Sequence, residues 1–168
     1  FRRALRLRRP LGDVTGTVGT QFNLARIYLL RAEPARAAAR LQEASALAAR
    51  HNLTEHFLSC LRALAGALDH LHSSAPAVDC LRRGTRAALR HGLHARAAQF
   101  AHELLPLAAA MGLPAVLAEA LGASATSARA RVFRDARALH YLYCAQAALY
   151  WGAPHRTRCC IRRARARA

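Results

Sequence analysis

The sequence has no lysine, few acids, few aromatics and few cysteines, and each scarcity excludes something. Nine Asp and Glu residues are scattered along 168 positions. A nucleophile needs a base and an orienting group converging on it, and no such trio is placed together by spacing. The chain therefore reads as non-enzymatic. Aromatics make up only 6% of the residues, which leaves few platforms for stacking nucleobases. Five Cys, an odd number without Cys-x-x-Cys knuckles, exclude a disulfide framework and argue against structural zinc. They read as reduced, structural thiols of a cytoplasmic chain. The longest uncharged run, Leu104 to Ala118, is about 15 residues and holds Pro106 and Pro114, short of the ~20 apolar residues that span a bilayer.

What is present is apolar and basic. Hydrophobic residues reach 54%, too many for a chain that never packs, and the length suits one domain. All 26 basic residues are Arg, and the formal net charge is +17. Such a surface favours anionic partners: acidic proteins, nucleic acid or acidic lipid. A strongly GC-rich gene would give the same Arg and Ala bias without selection for binding. Phe1-Arg2-Arg3-Ala4-Leu5 and the closing Arg162 to Ala168 are both helix-like. The chain reads as a segment of a longer protein, with no secretory h-region near its start.

The punctuation repeats. Ala49-Arg50-His51-Asn52-Leu53 returns 40 residues later as Leu89-Arg90-His91-Gly92-Leu93, and Ala110-Met111-Gly112-Leu113 falls half a period further on. Asn and Gly tolerate the left-handed conformation that ends a helix, and His suits the negative pole of the helix dipole. Within the first period Asn23-Leu24-Ala25, Tyr28, Ala37, Leu41 and Ala44 alternate large and small side chains across two helices. Small residues fall where the helices approach closely and large ones fill the gaps. Adding 40 gives Leu64, Ala65, Leu68, Ala77, Leu81 and Gly84. Adding 80 gives Leu104, Leu105, Ala108, Leu117, Leu121 and Ser124. Adding 120 gives Cys144, Ala145, Ala148, Thr157, Ile161 and Ala164. Only Gly84, Ser124 and Thr157 are not apolar, and all three are small.

This pattern resembles the tetratricopeptide repeat (TPR), in a longer variant with a 40-residue period and Gly12-Asp13 at an inter-repeat turn. The resemblance implies an all-α, right-handed α-solenoid of antiparallel helix pairs, a single domain over residues 1–168 with repeats at about 12–52, 53–92, 93–127 and 128–168. The helix pairs are expected at about 14–31 with 34–51, 53–72 with 75–91, 94–111 with 114–121, and 128–151 with 154–167. Residues 1–9 form the tail of an earlier helix. Pro34, Pro76, Pro114 and Pro154 each fall near the first turn of a second helix, where the missing N–H costs nothing. Pro106 should kink or shorten its helix, and Gly122 to Ser127 reads as a flexible connection.

Motifs for bound groups are weak. Gly12 to Gly19 lacks the Gly-Lys-Ser/Thr ending of a nucleotide loop. His70 and His72 point apart on a helix, and His91 and His94 straddle a break at Gly92. No cofactor and no metal site is expected.

The TPR resemblance implies instead a concave groove, lined by the first helix of each pair, in which a peptide lies. Carried onto this register, the candidates are Phe22, Asn23 and Arg26, then Ser59 and Arg62, then Gln99 and His102, and finally Leu142 and Gln146. Arg26, Arg62 and a protonated His102 would pair with carboxylates of an acidic peptide. The family's Lys/Asn clamp for a peptide C-terminus is not reproduced; Asn23 alone corresponds to it. The expected function is a protein–protein interaction scaffold that binds a peptide segment. The alternative is an Arg-rich nucleic-acid-binding module, whose phosphate contacts would come from Arg2, Arg3, Arg6, Arg8 and Arg9 and from the C-terminal Arg cluster.

Overall fold

The computed structural model describes residues 1–129, together with Cys144 and Arg162. Seven helices occupy the continuous part: α1 (Arg2–Arg8), α2 (Val14–Leu30), α3 (Pro34–Arg50), α4 (Thr54–Asp69), α5 (Ser74–Arg90), α6 (His94–Ala110) and α7 (Pro114–Arg129). No strand occurs among the described residues. The fourth expected helix pair, with Pro154, lies outside them.

From α2 to α7 the helices begin at 14, 34, 54, 74, 94 and 114, so the 40-residue repeat is built of two 20-residue halves. One backbone device produces this. Gly12, Ala32, Asn52, His72, Gly92 and Gly112 all have φ between 54° and 67°. A left-handed residue reverses the chain just past a helix end, and the following N–H reaches back to the carbonyl five residues earlier. Glu33 donates in this way to Tyr28, Leu53 to Ala48, Ser73 to Leu68, Leu93 to Ala88 and Leu113 to Ala108, all at 2.8–2.9 Å. The same residue is then the N-cap of the next helix, as for Glu33, Leu53 and Leu93. Three residues, or four between α4 and α5, thus close one helix and open its neighbour. Pro34 and Pro114 take the first position of α3 and α7, where no N–H is needed.

The start of α2 carries a true side-chain cap. Asp13 accepts a hydrogen bond from the Gly16 N–H at 2.8 Å, and the Arg8 guanidinium donates to the Gly16 carbonyl at 2.7 Å. A Cβ at Gly16 would overlap both side chains. Gly16 therefore serves the helix start, and Gly12 the turn before it.

The chain divides into two compact units, Phe1–Cys80 and the part from Leu81 onward, with the boundary inside α5. In the first unit α2 packs on α3, α3 on α4, α1 on α2, and α2 also touches α4. Gln21 and Glu43, equally distant from Ala32 along the chain, are hydrogen-bonded at 3.0 Å, so α2 and α3 run antiparallel. In the second unit α6 packs on α7, Phe100 of α6 lies against Gly84 of α5, and Glu119 of α7 is held by Arg82 and Arg86 of α5.

The expected packing positions form the core. Leu24, Ala25, Tyr28, Ala37, Leu41 and Ala44 are buried, as are Leu64, Ala65, Ala77, Leu81, Leu104, Leu105, Ala108 and Leu117. Gly84 and Ser124 are buried with them, and among the described register positions Leu68, Leu121 and Cys144 remain half-exposed. Each fully buried Leu contributes roughly 1.5–3 kcal/mol, while Ala lets the helices approach. Buried hydroxyls bond back along their own helices: Thr17 to the Asp13 carbonyl, Thr20 to Gly16 and Thr85 to Leu81. This is the usual way for such side chains to be satisfied inside a helix.

Three local expectations are corrected. Residues 122–127 are not a flexible connection; they continue α7. Ala123 and Ser124 are buried and Thr126 bonds the Gly122 carbonyl at 2.9 Å, so packing overrides poor helix propensity. Pro106 does not shorten α6, which continues through it to Ala110, with Pro106 on the exposed side. His70 and His72 are not on a helix: α4 ends at Asp69 and His72 is the left-handed turn residue.

Candidate functional site

The candidate residues of the first unit fall on two neighbouring helices. Phe22, Asn23 and Arg26 lie within about 100° of arc on α2, at 3.6 residues per turn. Phe22 and Asn23 are half-buried and Arg26 is exposed. On α4, which α2 touches, Ser59 is half-buried and Arg62 exposed, one turn apart. The aromatic edge of Phe22 and the amide of Asn23 offer contact area and hydrogen bonding, and the guanidiniums offer charge. Arg26 makes no hydrogen bond or ion pair among the described residues.

In the second unit Gln99 and His102 sit half-buried on α6. Gln99 accepts a hydrogen bond from Arg96 at 3.4 Å. Burial holds the His102 imidazole below its ordinary value, and the charge of Glu103 offsets only part of this. This burial disfavours the protonated form of the ring. Leu142 and Gln146 lie outside the described residues.

Arg2 and Arg8 of α1, and Arg9 just beyond it, are engaged within the unit. Arg2 donates to the Tyr28 hydroxyl at 3.2 Å, Arg8 binds Gly16, Thr20 and Asp13, and Arg9 stands 3.7 Å from Glu43. Among the described residues no three His, Cys, Asp or Glu side chains group as metal ligands would. Cys60 is buried, and burial pushes its thiol up to about 11, which makes it a packing residue and a poor nucleophile. No helix among the described residues is long and apolar enough to cross a membrane.

One feature has no motif to announce it. A pocket of about 520 Å³ opens beside the α1–α2 turn, between α2 and α3. Its signal is visible in the repeat: Thr17 and Gln21 stand where the next periods carry Phe57 and Leu61, then Ala97 and Ala101.

No family model and no curated protein matches the chain. Solved structures do. The chain is similar to BtubC (BKLC) from P. vanneervenii, with a TM-score of 0.74 and 17% identity over 92% of this chain, and it spans 64% of that protein's length. It is also similar to a Podosopora anserina protein described as kinesin-light-chain-like, with nearly identical TPR-like repeats. There the TM-score is 0.73, with 22% identity over 90% of this chain and 74% of the other. A variant of that Podosopora anserina protein matches with a TM-score of 0.72, at the same identity and coverage. With helices paired at a 40-residue period and a core on the expected positions, the chain has the TPR-like helical-repeat fold.

Proposed function

We propose that the chain is a non-enzymatic protein–protein interaction scaffold, and that the α2–α4 face binds an acidic peptide segment. The observation that carries this reading is Arg26: an exposed guanidinium without a partner among the described residues, one turn from half-buried Phe22 and beside Asn23. Arg62 on the neighbouring helix extends the basic character of the face. A helical-repeat architecture offers such faces more readily than closed, water-excluding pockets. Charge-assisted pairing of guanidinium with carboxylate supplies affinity and orientation, and Phe22 supplies apolar contact. Gln99 and His102 are proposed as the corresponding peptide contacts of α6, and Leu142 and Gln146 as those of the last pair.

Nucleic-acid binding is the competing reading, and it rests on the net charge of +17. Affinity capture from lysate, with and without nuclease, separates the two. Peptide recognition predicts a discrete protein that survives nuclease and is lost with Arg26→Glu/Arg62→Glu. Loss of all captured proteins on nuclease treatment contradicts it.

A further inference from the structure

The pocket beside the α1–α2 turn is lined by a residue whose buried amide oxygen the fold does not satisfy. Gln21 is 2% exposed and lines this pocket. Its Nε2 donates to Oε2 of Glu43 at 3.0 Å, and its Oε1 has no hydrogen-bond partner. The orientation follows from chemistry, since an ionised carboxylate only accepts and the NH₂ end must face Glu43. A buried acceptor left unpaired is costly, and the architecture does not need it: Leu61 takes the same repeat position and is fully buried.

A cation waits in the same pocket. Arg50 lines it and bonds only the Ala46 carbonyl through Nε, at 3.4 Å, so its terminal nitrogens are free among the described residues. Arg9 lines it too, sharing Glu43 with Arg40. Val14 and Leu47 add apolar wall. On α2 the pocket residues Val14, Thr17 and Gln21 lie roughly 150° around the helix from Phe22, Asn23 and Arg26, so this pocket is distinct from the proposed peptide face.

We propose that this pocket is a second binding site, which takes an acidic residue of a peptide: its carboxylate on Arg50 and Arg9, its backbone N–H donated to Oε1 of Gln21, and its methylenes against Val14 and Leu47. The polar groups select for this combination. A bare anion would leave Oε1 unsatisfied, and a neutral amide would leave Arg50 without a partner. An acidic residue within a peptide supplies an anion, an N–H donor and a short apolar stem together.

The test is a ¹⁵N NMR titration of the chain with N-acetyl-glutamic acid α-amide, beside neutral N-acetyl-glutamine α-amide and adenosine monophosphate. The site predicts saturable shifts of the Gln21 side-chain NH₂ and of the Val14 and Leu47 amides with the acidic probe. The neutral probe should bind at least tenfold more weakly. Arg50→Gln, an exposed substitution, should weaken the acidic probe at least tenfold, and so should Gln21→Leu, which should also raise Tm. Arg26→Glu/Arg62→Glu should leave this binding unchanged, which separates it from the proposed α2–α4 face. Absence of shifts at Gln21, equal affinity for the neutral probe, unchanged binding by Arg50→Gln, or shifts with the nucleotide alone would each overturn the proposal.

Discussion

The ring of Phe100 lies directly over the Cα of Gly84, so closely that a Cβ at position 84 would overlap it. Phe100 is 1% exposed and cannot swing into solvent without opening the core of its unit. Glycine at the helix interior is therefore a packing requirement. Gly84→Ala should destabilise the protein by about 1–3 kcal/mol through overpacking, although alanine is the better helix former. Gly66, where a Cβ would meet nothing within 4 Å, supplies the opposite sign: Gly66→Ala should stabilise by about 1 kcal/mol. Urea denaturation of both variants checks the pair, and Phe100→Leu in the Gly84→Ala background should recover part of the loss.

Ala32 adopts φ of 56° in the turn between α2 and α3, a conformation that costs an L-residue roughly 1–2 kcal/mol. The turn holds because the Glu33 N–H bonds the Tyr28 carbonyl at 2.9 Å. Ala32→Gly removes the strain but adds freedom to the unfolded chain, so the net gain should be about 0.5–1 kcal/mol. Thermal unfolding should show a raised Tm; a lowered Tm would mean that the turn is not strained.

Two groups give stability a pH dependence, in different windows. Burial lowers the His102 pKa in the folded chain, so the unfolded chain takes up the proton first. This contribution is complete above about pH 6.5, the ordinary histidine value, and is lost as pH falls through the folded value. Glu119 is also lowered, chiefly by its hydrogen bond from Arg86 and further by Arg82, against the opposing effect of burial. Its contribution is present above the ordinary carboxyl value of about 4.3 and is lost as pH falls below it. His102→Gln should flatten the stability profile between neutrality and mild acid, and Glu119→Gln should flatten it only in stronger acid. Denaturant midpoints across pH measure both.

Much of this fold is legible in the sequence because packing repeats at fixed positions. Leu24, Leu64 and Leu104 mark one helix, and Leu41, Leu81 and Leu121 its partner, at one spacing. The 20-residue half-period is partly hidden because Ala32 and His72 occupy left-handed positions without the glycine or asparagine that announces them elsewhere. The segment 122–127 resembles a linker because its residues are poor helix formers alone, while burial of Ala123 and Ser124 is a tertiary effect. At the candidate face, the exposure of Arg26 and Arg62 follows from helical register. The lowered pKa of His102 does not, since it depends on how deeply the ring is buried. Thr17 and Gln21 stand out in an apolar register, but a polar residue there does not reveal whether a partner meets it.

The most direct test of the proposed function is selection from a displayed peptide library on the immobilised chain, in parallel with Arg26→Glu/Arg62→Glu. The account predicts enrichment of Asp- and Glu-bearing peptides on the natural sequence and loss of that enrichment on the reversal variant, with helicity by circular dichroism unchanged. Enrichment of the same acidic peptides on both, or of no acidic peptides on either, would contradict the assignment of the α2–α4 face.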